Sequence, residues 1–335
     1  MKITIEDVAR AANVAKSTVS KVINDSPKIS VETKLKVRRI MSEMNYIPND
    51  IATRLAKQSS RNIGLLIDMS KKDEFLNQFF YNIIGGIEAV LAPLGYELTI
   101  SNVQSGSPDF MNRLVLSKRV DGLIANSSVL SAELAEELNR HQIPYISVGE
   151  IPAPANWVDF DNELGGEMLT QHLLSQGYHR IAFIGGKAEE SIFLRRIAGY
   201  RTVLQRSGAL IRPEWTVNGT ADEHTGYQAA ISLLQGEDQP DAMVCMSNFT
   251  AFGVLQAARE LQVDIPGELG VAAFDDYPLS PYTSPPLTSL NIDTFKLGTA
   301  AGERLMEQME AESQESRHLL LEPELITRES TCRHT

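Results

Sequence analysis

The sequence predicts an all-α helix-turn-helix head followed by an α/β body of two doubly wound parallel-sheet lobes. Three observations carry that prediction. Two short amphipathic stretches, T-I-E-D-V-A-R-A-A and K-S-T-V-S-K-V-I-N, stand head to tail with only Asn13, Val14 and Ala15 between them as a turn. Charge is unevenly spread: the 335-residue chain carries −12 overall, yet residues 1–61 hold 12 Lys/Arg against 6 Asp/Glu and the remainder 19 against 37. That asymmetry fits a basic nucleic-acid-binding head on an acidic body. From Asn62 onward, short apolar runs alternate with helical periodicity, the pattern of parallel strands joined by crossover helices.

In the head, Thr4 is placed to cap the first helix, with Asp7 three residues on. Val8, Ala11 and Ala12 form its inward face. In the second helix Val19, Val22 and Ile23 recur at helical spacing and pack inward. Lys16, Ser17, Thr18, Ser20, Lys21 and Asn24 are left facing out or flanking a groove. Short hydroxyl and amide side chains suit close approach to bases and phosphates, and lysines supply phosphate or guanine contacts. A third helix opens at Ser30, buries Leu35, Val37, Ile40, Met41 and Met44 in part, and carries Lys34, Lys36, Arg38 and Arg39. A small helical domain with a solvated charged face shows the same pattern. The charge asymmetry, the N-terminal placement and the next segment favour DNA. There, Pro48 ends a helix, Asn49 can cap another, and the next two turns are too few to be stable alone in water. Lys57–Asn62 reads as a polar linker. The expected division is a head at 1–48, a hinge helix and linker at 49–61, and a body at 62–335.

In the body, strands are expected at Ile63–Ile67, Tyr96–Ser101, Gly122–Asn126, Pro144–Val148, Arg180–Ile184, Ala242–Met246 and Val271–Phe274. Helices are expected at Phe79–Leu94, Asp109–Lys118, Ser131–His141, Leu164–Gln176, Arg196–Gly208, Thr225–Leu234, Ala251–Leu261 and Thr294–Met309. The last returns to the first lobe, giving one lobe of about 62–160 with 292–322 and another of about 161–291 with 323–335. Doubly wound sheets bind ligands beyond the carboxyl ends of their strands. The residues that follow the strands are Asn77-Gln78-Phe79-Phe80, Asn126-Ser127-Ser128, Gly185-Gly186 with Arg196 beyond, Ser247-Asn248-Phe249, and Asp275-Asp276. Asp159 and Asp161 stand at the crossover between lobes. Aromatics, amides, carboxylates and an arginine make a carbohydrate site: ring faces stack on aromatics, and hydroxyls bond Arg, Asn and Asp. Each residue also has a structural reading. Asp275 and Asp276 suit a turn, Gly185-Gly186 a turn rather than a phosphate cradle, Phe79 or Phe80 the core, and Arg196 a surface ion pair.

The motifs I-x-D-V-A-x-x-A-x-V (Ile5 to Val14), T-V-S-K-V-I-N (Thr18 to Asn24), N-Y-I-P-N (Asn45 to Asn49) and A-x-R-L-A (Ala52 to Ala56) are similar to those of the lactose/galactose repressor (LacI/GalR) family. The resemblance continues to Ser330. It implies that Lys16, Ser17 and Lys21 read bases, and that Thr4, Thr18, Ser20, Asn24, Ser30, Thr33 and Asn49 make phosphate or hinge contacts. It also implies that Leu55 wedges into the minor groove at the operator centre while Ala52 lets two hinge helices approach. It gives the body a periplasmic-binding-protein type of fold. N-Q-F-F (Asn77 to Phe80), R-I-A-G-Y (Arg196 to Tyr200), F-D-D (Phe274 to Asp276), D-N-E-L-G (Asp161 to Gly165), P-L-T-S-L (Pro286 to Leu290) and R-E-S-T (Arg328 to Thr331) match family motifs. The implied effector contacts are Asn77, Phe79, Asn126, Asp161, Arg196, Asn248 and Asp275. Three positions depart from the pattern: Ala15 replaces a serine, Phe249 replaces an aspartate, and Ala221 replaces a stacking aromatic. Extra residues at Lys71 to Glu74 lean toward regulators of oligosaccharide use.

The resemblance thus implies a transcriptional repressor of carbohydrate genes. Its expected partners are a palindromic double-stranded DNA operator and a mono- or oligosaccharide effector. The absence of a leucine heptad tail after R-E-S-T leads to a homodimer rather than a tetramer. Two cysteines, Cys245 in an apolar run and Cys332, exclude a disulfide framework. No cofactor or metal is expected. The absence of an apolar leader or spanning run leads to a cytoplasmic, membrane-free protein. A sugar-binding protein without DNA regulation would share the body but not the basic head. A doubly wound enzyme would need a P-loop, a G-x-S-x-G elbow or a metal cluster, and the sequence has none; its six histidines are scattered.

Overall fold

The computed structural model describes residues 3–47, 59–68, 78–103, 111–151, 155–310 and 318–333. The roles expected of Pro48, Asn49, Ala52, Leu55 and Asn77 fall outside the described residues. The chain groups into two units: Met1–Asn62 with Met111–Asp121, and Ile63–Phe110 with Gly122–Thr335.

Among the described residues the head of the first unit holds α1 (Ile5–Ala12), α2 (Lys16–Ile23) and α3 (Val31–Glu43), and its later stretch holds a π-helical segment at Met111–Leu116, within the helix expected at Asp109–Lys118. Thr4 and Asp7 form a reciprocal cap: the Asp7 N–H donates to Thr4 Oγ1 at 3.4 Å and the Thr4 N–H to Asp7 Oδ2 at 2.9 Å. The Thr4 hydroxyl and backbone hold the Asp7 carboxyl below its usual range. Asn13 ends α1 at φ +53, a left-handed position that asparagine tolerates. Ser30 caps α3 by accepting from the Thr33 N–H at 3.3 Å. Val8, Ala9, Ala12, Val19, Val22, Val37 and Ile40 form the core, with Met41 and Met44 packed partly against it. Two expected core positions are corrected. Ala11 is exposed, because α1 turns Ala9 and Ala12 inward instead. Leu35 is 63% exposed, lying beside Lys36 on the face of α3 opposite Val37 and Ile40.

The second unit has two six-stranded sheets. The first contains β1 (Asn62–Ile67), β2 (Glu97–Asn102), β3 (Gly122–Asn126), β4 (Tyr145–Val148), β5 (Trp157–Phe160) and a late strand, His318–Leu321. The second contains β6 (Ile181–Ile184), β7 (Thr216–Val217), β8 (Ala242–Cys245), β9 (Gly270–Phe274), β10 (Thr288–Asn291) and a final strand, Glu324–Ile326. Calling the two late strands β11 and β12, the orders are β2-β1-β3-β4-β5-β11 and β7-β6-β8-β9-β10-β12. The pairings from β1 through β5 to β11 and from β7 through β6 to β10 are parallel, and β12 is antiparallel to β10. Both lobes thus repeat one doubly wound topology, as the alternating pattern predicts, each with a switch point beside its first strand. The helices are α4 (Gln78–Leu91), α5 (Ala132–Arg140), α6 (Asn162–Ser175), α7 (Ser191–Ser207), α8 (Glu223–Leu234), α9 (Asn248–Glu260) and α10 (Thr294–Glu310).

Lobe one has its core around Ile63, Leu65, Ile124, Ile146 and Val158. Lobe two has a cluster around Phe183, Val244 and Phe274 and another around Met243, Val271 and Leu287, as residues alternate across its sheet. Helices pair at backbone distance. A Cβ on Gly166 of α6 would run into the carbonyl oxygen of Arg196, and one on Gly199 of α7 into that of Glu163. The same reciprocal arrangement joins α8 to α9 through Gly226 and Gly253, and α4 to α10 through Gly86 and Gly298.

Candidate DNA-contact face and ligand cleft

Ser17, Ser20, Lys21 and Asn24 of α2 and its C-cap are all exposed. Their spacing puts them on one face, at i, i+3, i+4 and i+7. Val19 and Val22 anchor the other face in the core. Thr18 is half-buried and Lys16 exposed at the start of the helix. The Lys16 ammonium donates to Glu6 at 2.7 Å, which holds the Glu6 carboxyl below its usual range. Both side chains are more than half exposed, so this pair is weak and Lys16 can exchange it for a phosphate. Asn24 Nδ2 donates to the Ser20 carbonyl at 2.9 Å. Thr4 stands at the start of α1, and Ser30 and Thr33 at the start of α3, where backbone N–H groups suit phosphate. Ala15 stands at the N-cap of α2 without a side-chain hydrogen bond, the contact a serine would supply.

The cleft centres on Arg196, placed by α7 and with a side chain 5% exposed. Its Nε donates to Asn162 Oδ1 at 2.9 Å, Nη1 to the Met246 carbonyl at 2.5 Å, and Nη2 to Asp275 Oδ1 at 3.4 Å. Its guanidinium lies 4.0 Å from the centroid of the Phe274 ring. Burial raises the Asp275 carboxyl above its usual range, and Arg196 opposes that shift. Asp275 itself sits at φ +69, immediately after β9. Asp159 is also raised by burial, while accepting from the Glu150 N–H at 3.1 Å and the Phe160 N–H at 2.7 Å. Asn248 opens α9 at 1% exposure, and neither atom of its amide has a hydrogen-bond partner among the described residues. A buried amide with both ends unanswered is costly unless something answers it.

Three aromatic rings form a wall at the loop that follows β9. Phe79 and Tyr277 meet edge-on with centroids 6.4 Å apart, and Tyr277 and Phe249 stand 5.9 Å apart. Phe80, the neighbour of Phe79, packs against the lobe-one core instead. Phe79, Asn82, Asp276, Tyr277, Asn291 and Asp293 help to line a cavity of ≈ 240 Å³. Arg328 donates to both Asp276 oxygens, at 2.7 and 3.0 Å, and fixes that loop to the R-E-S-T segment. A further ion pair, Arg195 with Glu150, joins α7 to the segment after β4 and so links the two lobes.

Among the expected ligand contacts, Arg196 pairs with Asp275, Asn248 follows two residues after the Met246 carbonyl that Arg196 also bonds, and Phe79 stands on the aromatic wall. Asp161 caps α6, accepting from the Leu164 N–H at 2.9 Å. Asn126 closes its own turn by accepting from the Ser128 N–H at 2.9 Å. Sequence reading missed Asn162 and Tyr277 as members of the site, and gave Asp276 only as the neighbour of Asp275 after β9. Asn162 had a signal, since it is the N of D-N-E-L-G; Tyr277 had none. Among the described residues no His/Cys/Asp/Glu group could hold a metal, and no helix is long and apolar enough to cross a membrane.

A helix-turn-helix head with an exposed polar face, ahead of two doubly wound lobes around a buried polar cleft, defines a DNA-binding regulator with a ligand-binding type of body. Residues 4–49 match the family description "Bacterial regulatory proteins, lacI family", and residues 170–331 match "Periplasmic binding protein-like domain". The HTH-type transcriptional repressor PurR of Vibrio vulnificus (strain CMCP6) is 31% identical over 333 residues, 98% of either chain. The lac repressor dimer bound to operator and the anti-inducer ONPF superposes with a TM-score of 0.83 at 27% identity, over 99% of this chain and 100% of that one. The CelR–cellobiose complex, a transcriptional regulator, gives 0.73 at 27% identity over 98% and 99%. The chain belongs to the LacI family: it is a DNA-binding transcriptional repressor and not an enzyme.

Proposed function

We propose that this repressor acts in the cytoplasm as a homodimer on a palindromic operator, and that a mono- or oligosaccharide bound between the lobes controls its DNA affinity. The carrying observation is the Asn248 amide, buried, without a hydrogen-bond partner among the described residues, and two residues beyond the Met246 carbonyl that Arg196 bonds. It offers an NH₂ group that donates and a carbonyl oxygen that accepts, the complement of a sugar hydroxyl pair. Phe79, Tyr277 and Phe249 offer surfaces for the flat face of a sugar ring. Similarity to a regulator solved with cellobiose supports the saccharide class, and similarity to a lac repressor dimer supports the dimer. The aromatic wall also favours a second reading, a planar heterocyclic base. Asn77, Asn126 and Asp161 would complete the cleft in either case.

On the DNA side, Lys16, Ser17 and Lys21 read bases. Thr4, Thr18, Ser20, Asn24, Ser30, Thr33 and Asn49 hold phosphates or the hinge. Leu55 and Ala52 form the minor-groove wedge. The functional division is 1–48, 49–61 and 62–335. The effector acts through its differential affinity for two arrangements of the lobes. A thermal-shift screen of mono- and oligosaccharides with purine and pyrimidine bases tests the reading, because a ligand of the folded state raises stability by mass action. A saccharide hit that Asn248→Leu abolishes is expected. A response to bases alone would replace the saccharide class with the second reading.

A further inference from the structure

Ser59, Ser60 and Arg61 direct four donors at one carboxylate. Asp121 Oδ1 accepts the Ser60 backbone N–H at 2.7 Å and the Ser60 hydroxyl at 2.9 Å. Oδ2 accepts the Arg61 N–H at 2.9 Å and the Ser59 hydroxyl. The Asp121 N–H donates to the Asn62 carbonyl at 2.8 Å, and Asn62 Nδ2 donates to the Arg119 carbonyl at 3.0 Å. Arg61 stands at φ +52, in the left-handed region that residues with a Cβ seldom enter. Its conformation persists because the surrounding bonds over-determine it. An ionised carboxylate has about four acceptor sites, and four donors meet them. An amide at position 121 would keep the shape but turn an NH₂ group toward two of those donors.

This cluster occupies the only covalent route between residues 1–58, which carry the DNA-reading helix, and residues 63–335. We propose that Asp121 is a positioning residue for DNA binding: its carboxylate fixes the backbone direction at Ser59–Arg61. The chain that emerges toward the head therefore starts from one set orientation. A carboxylate that only stapled a loop would support stability and leave DNA discrimination alone. Loss of a set starting orientation instead penalises specific binding, where two heads must meet two half-sites in register, and spares non-specific attachment to the backbone. The inference rests on the homodimer and palindromic operator proposed above and not on the identity of the effector.

The test uses the full-length chain and two fluorescent duplexes of equal length. One is selected by the wild-type chain from a pool of randomised inverted repeats, and the other is a scrambled version of it. Asp121→Asn is expected to weaken the selected duplex about tenfold or more, to leave the scrambled duplex within about twofold, and to speed amide exchange at Ser60–Asn62. If the selected duplex stays within about twofold, or if both duplexes weaken equally, Asp121 is a structural staple and the proposal falls. Should Asp121→Asn fail to fold, Ser59→Ala with Ser60→Ala removes both hydroxyl donors and keeps the carboxylate. It is judged by the same ratio of the two affinities.

Discussion

The candidate reading face of α2 and the candidate ligand cleft use polar side chains in opposite ways. On α2, Ser17, Ser20, Lys21 and Asn24 are exposed, stand within eight residues of sequence, and are backed by a separate apolar face. In the cleft, Asn162, Arg196, Asn248 and Asp275 come from four elements and are largely removed from water. Each nitrogen of Arg196 donates to the protein itself, to Asn162, Met246 and Asp275, which uses three of its five N–H groups. Recognition and stability therefore separate at the head, where side chains can change without disturbing the core. In the cleft they are one set of interactions, because each buried polar group needs its neighbour.

The sharpest way to break that contrast is Arg196→Leu. It leaves Asp275 buried without its counter-charge, and stability is expected to fall by about 3–5 kcal/mol, as for a buried pair losing one partner. Calorimetry would read this as a melting drop of roughly 10 °C, at about 2–4 °C per kcal/mol. A loss under about 1 kcal/mol would mean that the network contributes to binding alone.

At the head, Lys21→Ala is expected to leave melting unchanged within about 0.5 kcal/mol. It should weaken a selected operator duplex by about 1–2 kcal/mol, read by anisotropy. A clear melting shift would erase the separation between the two regions. Ala15→Ser runs the other way. Supplying the missing N-cap of α2 is expected to raise head stability by about 0.5–1 kcal/mol in chemical denaturation. An unchanged midpoint would show that water already serves those N–H groups.

The smallest effect concerns His172, whose Nε2 lies 2.7 Å from Thr331 Oγ1. Burial holds its pKa below the ordinary value of 6.5. The unfolded chain therefore takes up a proton at His172 near pH 6.5, and the folded imidazole takes it up only at lower pH. Its contribution is full above that pH and declines as the pH falls below it. His172→Gln should flatten the melting profile between about pH 7 and 5. A profile unchanged by the substitution would remove His172 as a source of acid sensitivity.

The same contrast explains what was legible in the sequence. The head is readable because its signals are local: a cap, a turn, and apolar spacing on two helices. The seven expected strands are all present because each is a short apolar run between helical patterns. Thr288–Asn291, His318–Leu321, Glu324–Ile326, Trp157–Phe160 and Thr216–Val217 were not expected, being two to four residues long, and several carry polar groups. α7 starts at Ser191 rather than Arg196, since the polar Arg195-Arg196 pair hid its first turn. Asn162 escaped because only three-dimensional approach separates it from Asp161, which caps the helix beside it. Leu35 misled because an isolated leucine between two lysines has the period of a core face without its neighbours.

The reciprocal glycines bear on mechanics. Where Gly166 meets the Arg196 carbonyl and Gly199 that of Glu163, the backbones of α6 and α7 are already in contact, and sliding one along the other drives a carbonyl into a Cα. Gly226 with Gly253, and Gly86 with Gly298, lock two more helix pairs, so that each lobe is stiff against shear. A stiff plate transmits torque without absorbing it. Work done on Arg196 by the proposed effector would then be delivered as rotation of a whole lobe rather than dissipated in the helices that carry it.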